Sequence, residues 1–429
     1  MHGERSLRVL FAPETFNLGE TSRAVEVARE VKALGHEVAF MGYSTRFADF
    51  VRDAGFGLTL LEPRLSEAQA DQLIAVDQGR GIRHPFTADV IRRRVASELA
   101  LFAEWRPDCA VIGTTLSLFI SARAASLPLV YVRPYAMSRG HLTQMTSFPL
   151  TQGQGRLGRS VNRVAGRLIA AAAPRIRWKP AAFRKVAEEY RVHLPAATVD
   201  ALDADLNLIA PRPPGSEGRS AASEERRGAA FVGGGVAAAA EKFVGPIFAR
   251  ADGDLDEGIT ALADSRRPVV YVGLGSSAGR RLALDILHSI EALDVDVITS
   301  AGRYLGTEDR ASLGDNVHVY DFLPAHRLAG IIDASVIHSG EGTVQTACAS
   351  GVPFAGIGLQ SEQRINLDEC VAYGNAIRFT ARDLRRGRLP EIVAQLLTDP
   401  RMRRAAKSLP QTNGASAAAQ EIVRRVRAK

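Results

Sequence analysis

The segment HSGEGTVQTACASGVP, residues 338–353, places a histidine, two glycines and a threonine at the start of a predicted helix. The run just before it, residues 331–337, is rich in branched apolar side chains and predicts a buried strand. A helix start offers free backbone N–H groups and the positive end of the helix dipole, so this arrangement could bind an anion. A tight turn without a ligand has the same spacing, and the segment alone does not separate the two interpretations.

Three other predicted strands end in residues that could hold a phosphate, a flat ring or hydroxyl groups. GLGSS, residues 273–277, is a second glycine-rich phosphate cradle. YDFLP carries an apolar pair, Phe322 and Leu323, that could face the plane of a base. LQSEQRIN, residues 359–366, adds an acid and two amides, side chains that can form hydrogen bonds to two neighbouring hydroxyl groups at once. Four such ends on one rim of a sheet favour a ligand site over four unrelated turns.

The elements that must position these strand ends alternate regularly along the chain. Apolar strand runs and amphipathic helix runs follow one another over the first 130 residues and again from residue 268, which predicts parallel, doubly wound sheets. We therefore expect an α/β fold with two Rossmann-like domains facing across a cleft. Ligands of such folds bind beyond the carboxyl ends of the strands, hence in the cleft.

The chain has 429 residues, which is enough for two domains. We expect an N-terminal domain over residues 1–250 with an insertion near 136–186. A segment rich in Pro, Gly, Ser and Ala, 212–240, has the composition of a flexible linker. The second domain is expected over residues 251–408, followed by a helix, 409–429, that could pack back on the first domain.

Composition excludes several classes of protein. No apolar run is long enough to span a membrane and no N-terminal signal sequence is recognisable, so we expect a cytoplasmic protein. The three cysteines, Cys109, Cys348 and Cys370, lack metal-site spacing and predict buried thiols. Neither a metal site nor a disulfide framework is predicted.

Positive charge is concentrated in one part of a chain whose net charge is +7. Residues 109–187 contain no Asp or Glu, and one predicted helix face carries Arg156, Arg159, Arg163 and Arg167. This pattern is typical of a solvated surface helix, and it also suits an anionic acceptor or, less favoured, a membrane surface. Nucleic acid is not an expected partner, because no aromatic side chains interleave with the arginines to stack on bases.

The order and spacing of the C-terminal motifs resemble the GT-B glycosyltransferases of the UDP-glycosyltransferase superfamily, in particular bacterial natural-product glycosyltransferases. The similar stretch runs from NVHVYDFLPAHRL to HSGEGTVQTACASGVPFAGIGLQSEQRIN. It contains the histidine, glycines and threonine, a helix, then GVP and an acid–Gln pair. A weaker resemblance of residues 7–42 extends the similarity to most of the chain. The resemblance implies a nucleotide-sugar donor and transfer of its sugar to an acceptor.

The resemblance also implies a role for each motif residue. The implied nucleotide-binding residues are Gly275, Ser276, Phe322, Leu323, His338, Gly340, Gly342 and Thr343. Glu362 and Gln363 would hold the hydroxyl groups of the donor sugar. Thr346 stands where many members carry a glutamate that holds both ribose hydroxyls. This difference favours a dTDP-sugar over a UDP-sugar as the donor.

The N-terminal half departs from the family where the catalytic base is expected. Members open the first helix with Gly-His, and the corresponding residues here are Gly19 and Glu20. Residues 113–115, Gly-Thr-Thr, stand where an aspartate orients that histidine. Glu20 could itself take the proton if burial makes its carboxylate basic enough, or it could be a helix-start carboxylate favoured by the dipole. His141 is a remote alternative base.

Three functions remain open from the sequence. The leading one is an inverting glycosyltransferase that moves a sugar from a dTDP- or UDP-sugar to a small natural-product acceptor, as in antibiotic biosynthesis. It would need no cofactor and no metal ion, because no Asp-x-Asp pair lies near the phosphate motifs. The alternatives are a nucleotide-sugar 2-epimerase-like isomerase and a non-catalytic nucleotide-sugar-binding partner protein. Acceptor contacts are predicted for His141, Arg159 and Arg163, in a monomer or a homodimer.

Overall fold

Two separate parallel β-sheets organise the chain. The structure is a computed structural model that describes residues 5–77, 81, 84–151, 155–177, 180–210, 241–250, 253–275, 278–409 and 412–428. The predicted linker, 212–240, lies outside these residues. The α/β class predicted from the alternating pattern is confirmed.

The N-terminal sheet has seven parallel strands in the order β3-β2-β1-β4-β5-β6-β7. These strands are β1 (Arg8–Ala12), β2 (Glu37–Gly42), β3 (Leu58–Leu60), β4 (Cys109–Ile112), β5 (Leu129–Arg133), β6 (Leu206–Ile209) and β7 (Glu241–Phe243). The central strands read as apolar runs because helices cover both faces of the sheet. The apolar run LNLIAP, residues 206–211, predicts β6 and makes it the last strand expected in this half. The edge strand β7 was missed because its three residues, EKF, form no apolar run.

Five helices accompany the first strands of this sheet. They are α1 (Leu18–Ala33), α2 (Ala48–Asp53), α3 (Glu67–Asp77), α4 (Ala88–Trp105) and α5 (Leu118–Ala124). Helix α1 begins after Asn17, whose side-chain oxygen accepts hydrogen bonds from the N–H groups of Gly19 and Glu20. This cap fixes the first turn of α1 at the carboxyl end of β1.

The segment between β5 and β6 is mainly helical. Its α-helices are α6 (Arg139–Gln144), α7 (Arg156–Ala172), α8 (Ala181–Glu189) and α9 (Thr198–Ala201), with 3₁₀ turns at Tyr135–Met137 and Ala173–Arg175. The basic helix predicted from the arginine spacing is α7. Over the described residues, no helix is both long and apolar enough to cross a bilayer.

The C-terminal sheet has six parallel strands in the order β10-β9-β8-β11-β12-β13. They are β8 (Val269–Gly273), β9 (Asp296–Thr299), β10 (Val317–Val319), β11 (Ala334–Ile337), β12 (Phe354–Gly356) and β13 (Ala376–Arg378). The helices of this half are α10 (Glu257–Ala261), α11 (Arg280–Ile290), α12 (Thr307–Ala311), α13 (Glu341–Ala349), α14 (Ser361–Tyr373), α15 (Ala381–Arg385), α16 (Leu389–Thr398) and α17 (Pro400–Lys407). Further 3₁₀ turns lie at Leu262–Asp264, Gly302–Tyr304 and Ala325–Leu328.

The last helix, α18 (Gly414–Arg427), packs against α1 of the first half. Its apolar residues belong to the same core cluster as the N-terminal sheet, and they are Ala415, Ala418, Ala419, Ile422 and Val423. The helix starts in close contact with the chain after β7, because the Gly414 N–H donates to the carbonyl oxygen of Pro246 at 3.0 Å. A Cβ at Gly414 would lie 2.6 Å from that oxygen, so only glycine fits without a shift.

We expect Gly414→Ala to lower the free energy of unfolding by about 1–3 kcal/mol, because the added methyl group forces α18 away from the chain at Pro246. Urea unfolding followed by circular dichroism measures this. The matched control is Gly57→Ala, where no atom lies within 4 Å of the new Cβ and a change below about 0.5 kcal/mol is expected. Equal stability of the two variants would contradict the close seating of α18.

Candidate active site

His338 lies where β11 ends and α13 begins. Its side chain is buried, and its Nδ1 atom lies 3.4 Å from the carbonyl oxygen of Gly273 at the end of β8. Ser339 has a positive φ of 63°, and Gly340 is the N-cap of α13. The strand, turn and helix start predicted from the sequence therefore form as expected, and the first turn of α13, whose N–H groups have no partner within the helix, lies at this edge of the sheet.

The ring of His338 leaves room only for glycine at two of the predicted phosphate-binding positions. A Cβ at Gly340 would lie 2.6 Å from Nε2, and one at Gly275 would lie 2.8 Å from the same atom. Gly275 also has a positive φ of 55°, and its carbonyl oxygen accepts a hydrogen bond from the hydroxyl of Tyr304. Ser276, the next predicted residue, lies outside the described residues. The two glycine turns thus clasp the imidazole between β8 and β11.

Burial lowers the pKa of His338 to about 4. The ring is therefore neutral at pH 7 in the ligand-free protein. A carbonyl oxygen only accepts hydrogen bonds, so a bond to Gly273 puts the ring proton on Nδ1 and leaves a lone pair on Nε2. An anion at Nε2 would favour uptake of a second proton there.

The other predicted residues of α13 differ in exposure. Gly342 is exposed and Thr343 is half-buried, in the first turn of the helix. The hydroxyl of Thr346 donates to the carbonyl oxygen of Gly342 at 2.9 Å. Thr346 therefore makes a bond within its own helix.

The predicted apolar pair after β10 is divided by the fold. Phe322 is 57% exposed, whereas Leu323 is buried in a core cluster with residues such as Tyr271 and Ile298. The sequence assigns Leu323 to the same base-contacting pair as Phe322 because the two residues are adjacent. Consecutive residues beyond a strand can face opposite sides, and here only the ring of Phe322 presents a surface at this edge.

The predicted sugar-binding pair opens α14. Burial and the neighbouring Glu341 carboxylate raise the pKa of Glu362 to about 7, and Asn366 donates to one of its oxygens at 2.6 Å. The side-chain oxygen of Gln363 accepts from the Leu359 N–H at 2.9 Å, which helps to hold the turn before the helix. Both residues belong to the same edge of the C-terminal sheet as His338.

Glu341 was not predicted as a site residue, although it lies inside the HSGEGT motif. It forms an ion pair with Arg23 of α1, and its other oxygen lies 3.4 Å from the Tyr135 backbone nitrogen. Arg23 and Tyr135 both belong to the N-terminal half, so this carboxylate joins the two halves. A lone acid inside a glycine motif could have signalled a special role, but its partner lies 318 residues away.

Glu20 lies in a cradle of hydrogen-bond donors. Its Oε2 accepts from the backbone N–H groups of Thr114 at 2.9 Å and Glu14 at 3.2 Å, and its Oε1 accepts from the Thr114 hydroxyl at 2.6 Å. A Cβ at Gly113 would lie 2.9 Å from the Glu20 carboxyl carbon, so this glycine makes room for it. The two places where the resemblance implies a histidine and an aspartate are thus in direct contact, and they carry a carboxylate and a hydroxyl.

A buried polar network lies beneath Glu20 and was missed from the sequence. Arg94 donates to Glu14 at 2.9 Å, and its guanidinium carbon lies 3.7 Å from the ring centroid of Tyr43. The Tyr43 hydroxyl donates to Glu98 at 2.7 Å. Burial raises the pKa of Glu14 and raises that of Glu98 to about 6. The helical spacing of Arg94 and Glu98 could have indicated a shared face of α4, but it did not indicate that this face is buried.

The predicted acceptor contacts lie in the helical segment after β5. His141 is packed edge-on against Tyr135, with 4.7 Å between ring centroids, and burial lowers its pKa to about 4. Arg159 and Arg163 are exposed on α7. The contacts described for His141 connect it to the turn beside Glu341, whereas α7 packs mainly on its own segment. Among the described residues, no group of three His, Cys, Asp or Glu side chains could hold a metal ion.

This chain resembles known proteins over both halves. The family described as "Erythromycin biosynthesis protein CIII-like, C-terminal domain" matches residues 284–428. A PGL/p-HBAD biosynthesis glycosyltransferase of Mycobacterium tuberculosis is 24% identical over 417 residues, covering 96% of this chain and 89% of that protein. The 4'-demethylrebeccamycin synthase of Lentzea aerocolonigenes is 33% identical over 171 residues, covering 38% of each chain.

A solved structure shows the same architecture. Glycosyltransferase VinC in complex with dTDP has a TM-score of 0.66 to this chain at 20% identity, covering 99% of this chain and 100% of that chain. At this identity the likeness concerns the fold. The GT-B arrangement of two Rossmann-like domains, predicted from the sequence, is confirmed.

We expect His338→Ala to weaken the binding of dTDP and UDP by about 1.5–3 kcal/mol, the range for a lost hydrogen bond to a charged group. Because Nε2 must gain a proton to donate to a phosphate, the affinity gap between wild type and variant should be wider at pH 6 than at pH 8. Calorimetric titration at both pH values measures it, and the variant corrects for titration of the nucleotide itself. The control is His288→Ala, which removes an exposed ring from α11. Unchanged affinity for both nucleotides would remove His338 from the site.

Proposed function

We propose that this chain, a GT-B glycosyltransferase of the UDP-glycosyltransferase superfamily, transfers a sugar with inversion from a dTDP- or UDP-sugar to a small natural-product acceptor. The observation that carries the proposal is the clasped imidazole of His338 beside the start of α13. This arrangement offers one anion an imidazole that can take up a proton and donate it in a hydrogen bond, together with the backbone N–H groups of a helix start, which suits a diphosphate.

The donor is proposed to bind where the carboxyl ends of the strands of the C-terminal sheet lie. The diphosphate would contact His338, Gly275 and the start of α13 with Gly340, Gly342 and Thr343. Ser276 stays a prediction from the sequence. The exposed ring of Phe322 would face the base, and Glu362 with Gln363 would contact the sugar. A proton on His338 and the helix start would stabilise the charge that develops on the departing diphosphate.

A dTDP-sugar is the proposed donor in preference to a UDP-sugar. Thr346 stands where a glutamate would hold both ribose hydroxyls, and its hydroxyl already donates to the Gly342 carbonyl oxygen. A thymidine nucleotide has no 2′-hydroxyl and does not need that carboxylate. The presence of dTDP in the VinC structure supports the same choice.

Glu20 is proposed as the group that takes the proton from the acceptor. It lies at the start of α1, the helix whose Arg23 forms the ion pair with Glu341 beside the proposed donor site. The bonds from Thr114 and Glu14 hold the carboxylate in one position. Positioning of this kind is what a general base requires, since proton transfer depends on distance to the acceptor hydroxyl. His141, Arg159 and Arg163 stay proposals for acceptor contacts.

Release of dTDP or UDP from a panel of nucleotide sugars, with and without candidate acceptors, tests the proposed function. We expect release that depends on an acceptor and a glycosylated product of inverted configuration. Conversion of the donor to an isomeric nucleotide sugar without any acceptor would instead indicate an isomerase. Donor binding without turnover across the panel would indicate a non-catalytic binding protein.

We expect Glu20→Gln to lower turnover by about 10²–10⁴-fold, because the amide cannot accept the proton. Its oxygen can still accept from the N–H groups of Glu14 and Thr114, so the fold and donor affinity should persist. Steady-state kinetics measures turnover and calorimetric titration measures donor affinity, with Glu104→Gln on the exposed face of α4 as the control. Near-normal turnover in the Glu20→Gln variant would remove Glu20 from the mechanism.

A further inference from the structure

Helix α7 presents an apolar stripe to the outside of the protein. The exposed fractions of its residues are 81% for Leu157, 37% for Val161, 57% for Val164 and 65% for Leu168. Their spacing places all four on one side of the helix, along most of its length. An exposed stripe of branched apolar side chains on a folded chain marks an interaction site, because single exposed apolar residues are common but aligned ones are not.

The outward direction of this stripe is fixed by the opposite side of the helix. A Cβ at Gly166 would lie 2.5 Å from the Ser147 Cα atom, so α7 rests directly on the preceding loop. Asn162 donates to the Thr151 carbonyl oxygen at 3.0 Å and accepts from the Thr151 N–H at 2.9 Å. The close contact at Gly166 and the two hydrogen bonds of Asn162 fix the rotation of the helix about its own axis. The apolar stripe cannot turn inward without breaking these contacts.

The same helix carries a row of positive charge beside the stripe. The exposed arginines of α7 are Arg156, Arg159, Arg163 and Arg167. On a helical projection Arg156 and Arg167 lie nearest to the apolar stripe. Two further apolar residues near the ends of the helix are exposed as well, Leu150 at 61% and Ile176 at 46%. No Asp or Glu occurs over residues 109–187 to offset this charge.

We propose that α7 lies flat on the surface of an anionic lipid bilayer, with its apolar stripe in the acyl boundary and the neighbouring Arg156 and Arg167 at the headgroups. Helices with a narrow apolar face and arginines beside it bind membranes in this way. The helix is about 26 Å long and is not apolar all round, so it lies on the bilayer and does not span it. The proposal does not depend on the sugar that the chain transfers.

Charge selects the lipid surface over a second copy of the chain. Two α7 helices packed by their apolar stripes would bring two rows of arginines together, and residues 109–187 contain no acid that would compensate them. Phosphate headgroups instead pair with arginine and release counterions on contact. The apolar stripe and the arginine row then both contribute to one interaction.

Flotation of the full chain with vesicles tests the proposal. Vesicles of phosphatidylcholine with 30% phosphatidylglycerol should bind at least about tenfold more strongly than pure phosphatidylcholine vesicles, and 0.5 M NaCl should weaken the binding by a similar factor. Leu157→Ser with Leu168→Ser should weaken binding at least about tenfold, and Arg156→Gln with Arg167→Gln several-fold. All four side chains are exposed, so the far-ultraviolet spectrum and unfolding midpoint should stay unchanged.

The control variants carry the same substitutions elsewhere on the surface. Leu34→Ser with Val371→Ser replaces two exposed apolar residues, and Arg401→Gln with Arg404→Gln replaces two exposed arginines of α17. Neither pair should change vesicle binding. Absence of binding to anionic vesicles, or equal loss of binding in these controls, would overturn the proposal. A dimer in sedimentation that Leu157→Ser and Leu168→Ser dissociate, without vesicle binding, would overturn it in favour of self-association.

Discussion

The ion pair between Arg23 and Glu341 joins the two halves at the point where the candidate site lies. The two side chains are 9% and 12% exposed, and removing charges from water is costly unless they are paired. Glu341 also occupies the start of α13, where its charge would repel a phosphate if Arg23 did not neutralise it. The candidate site of the C-terminal half therefore depends on a cation from the N-terminal half. Burial together with the Glu341 charge explains why the pKa of Glu362 is as high as about 7.

The clasp around His338 shows why glycine recurs in the motif. The sequence motif alone suggests that the glycines serve only the approach of a phosphate. In the structure, Gly275 and Gly340 already have to make room for the imidazole. The ring then bridges the ends of β8 and β11, so it helps to hold the loops that would receive a ligand. Burial keeps it neutral in the empty protein, which avoids an unpaired charge at the edge of the sheet.

The N-terminal half places a carboxylate and a hydroxyl where the family resemblance implies a histidine and an aspartate. Glu20 and Thr114 keep the direct contact between the two positions, while the N–H of Glu14 adds a third donor. Beneath them Arg94 pairs with Glu14 and stacks on Tyr43. Such a connected network positions its members more firmly than isolated bonds do, because each group is held from several sides.

The sequence by itself determined the elements and the motif turns of this protein. The apolar run EVAFMG predicts a strand over 37–42 and the helical spacing that follows predicts a helix near 88–104, and β2 and α4 agree with these bounds to within a residue. Apolar patterns of this kind are local signals. The same holds for the turn at His338, where glycines and a helix start are adjacent in the chain. Tertiary structure alone decided which side chains meet and which faces stay open. Arg23 finds Glu341 across the halves, Leu323 enters the core while Phe322 does not, and α7 leaves its apolar stripe uncovered. Periodicity tells which residues share a face of a helix, but only packing against distant segments decides whether that face is buried.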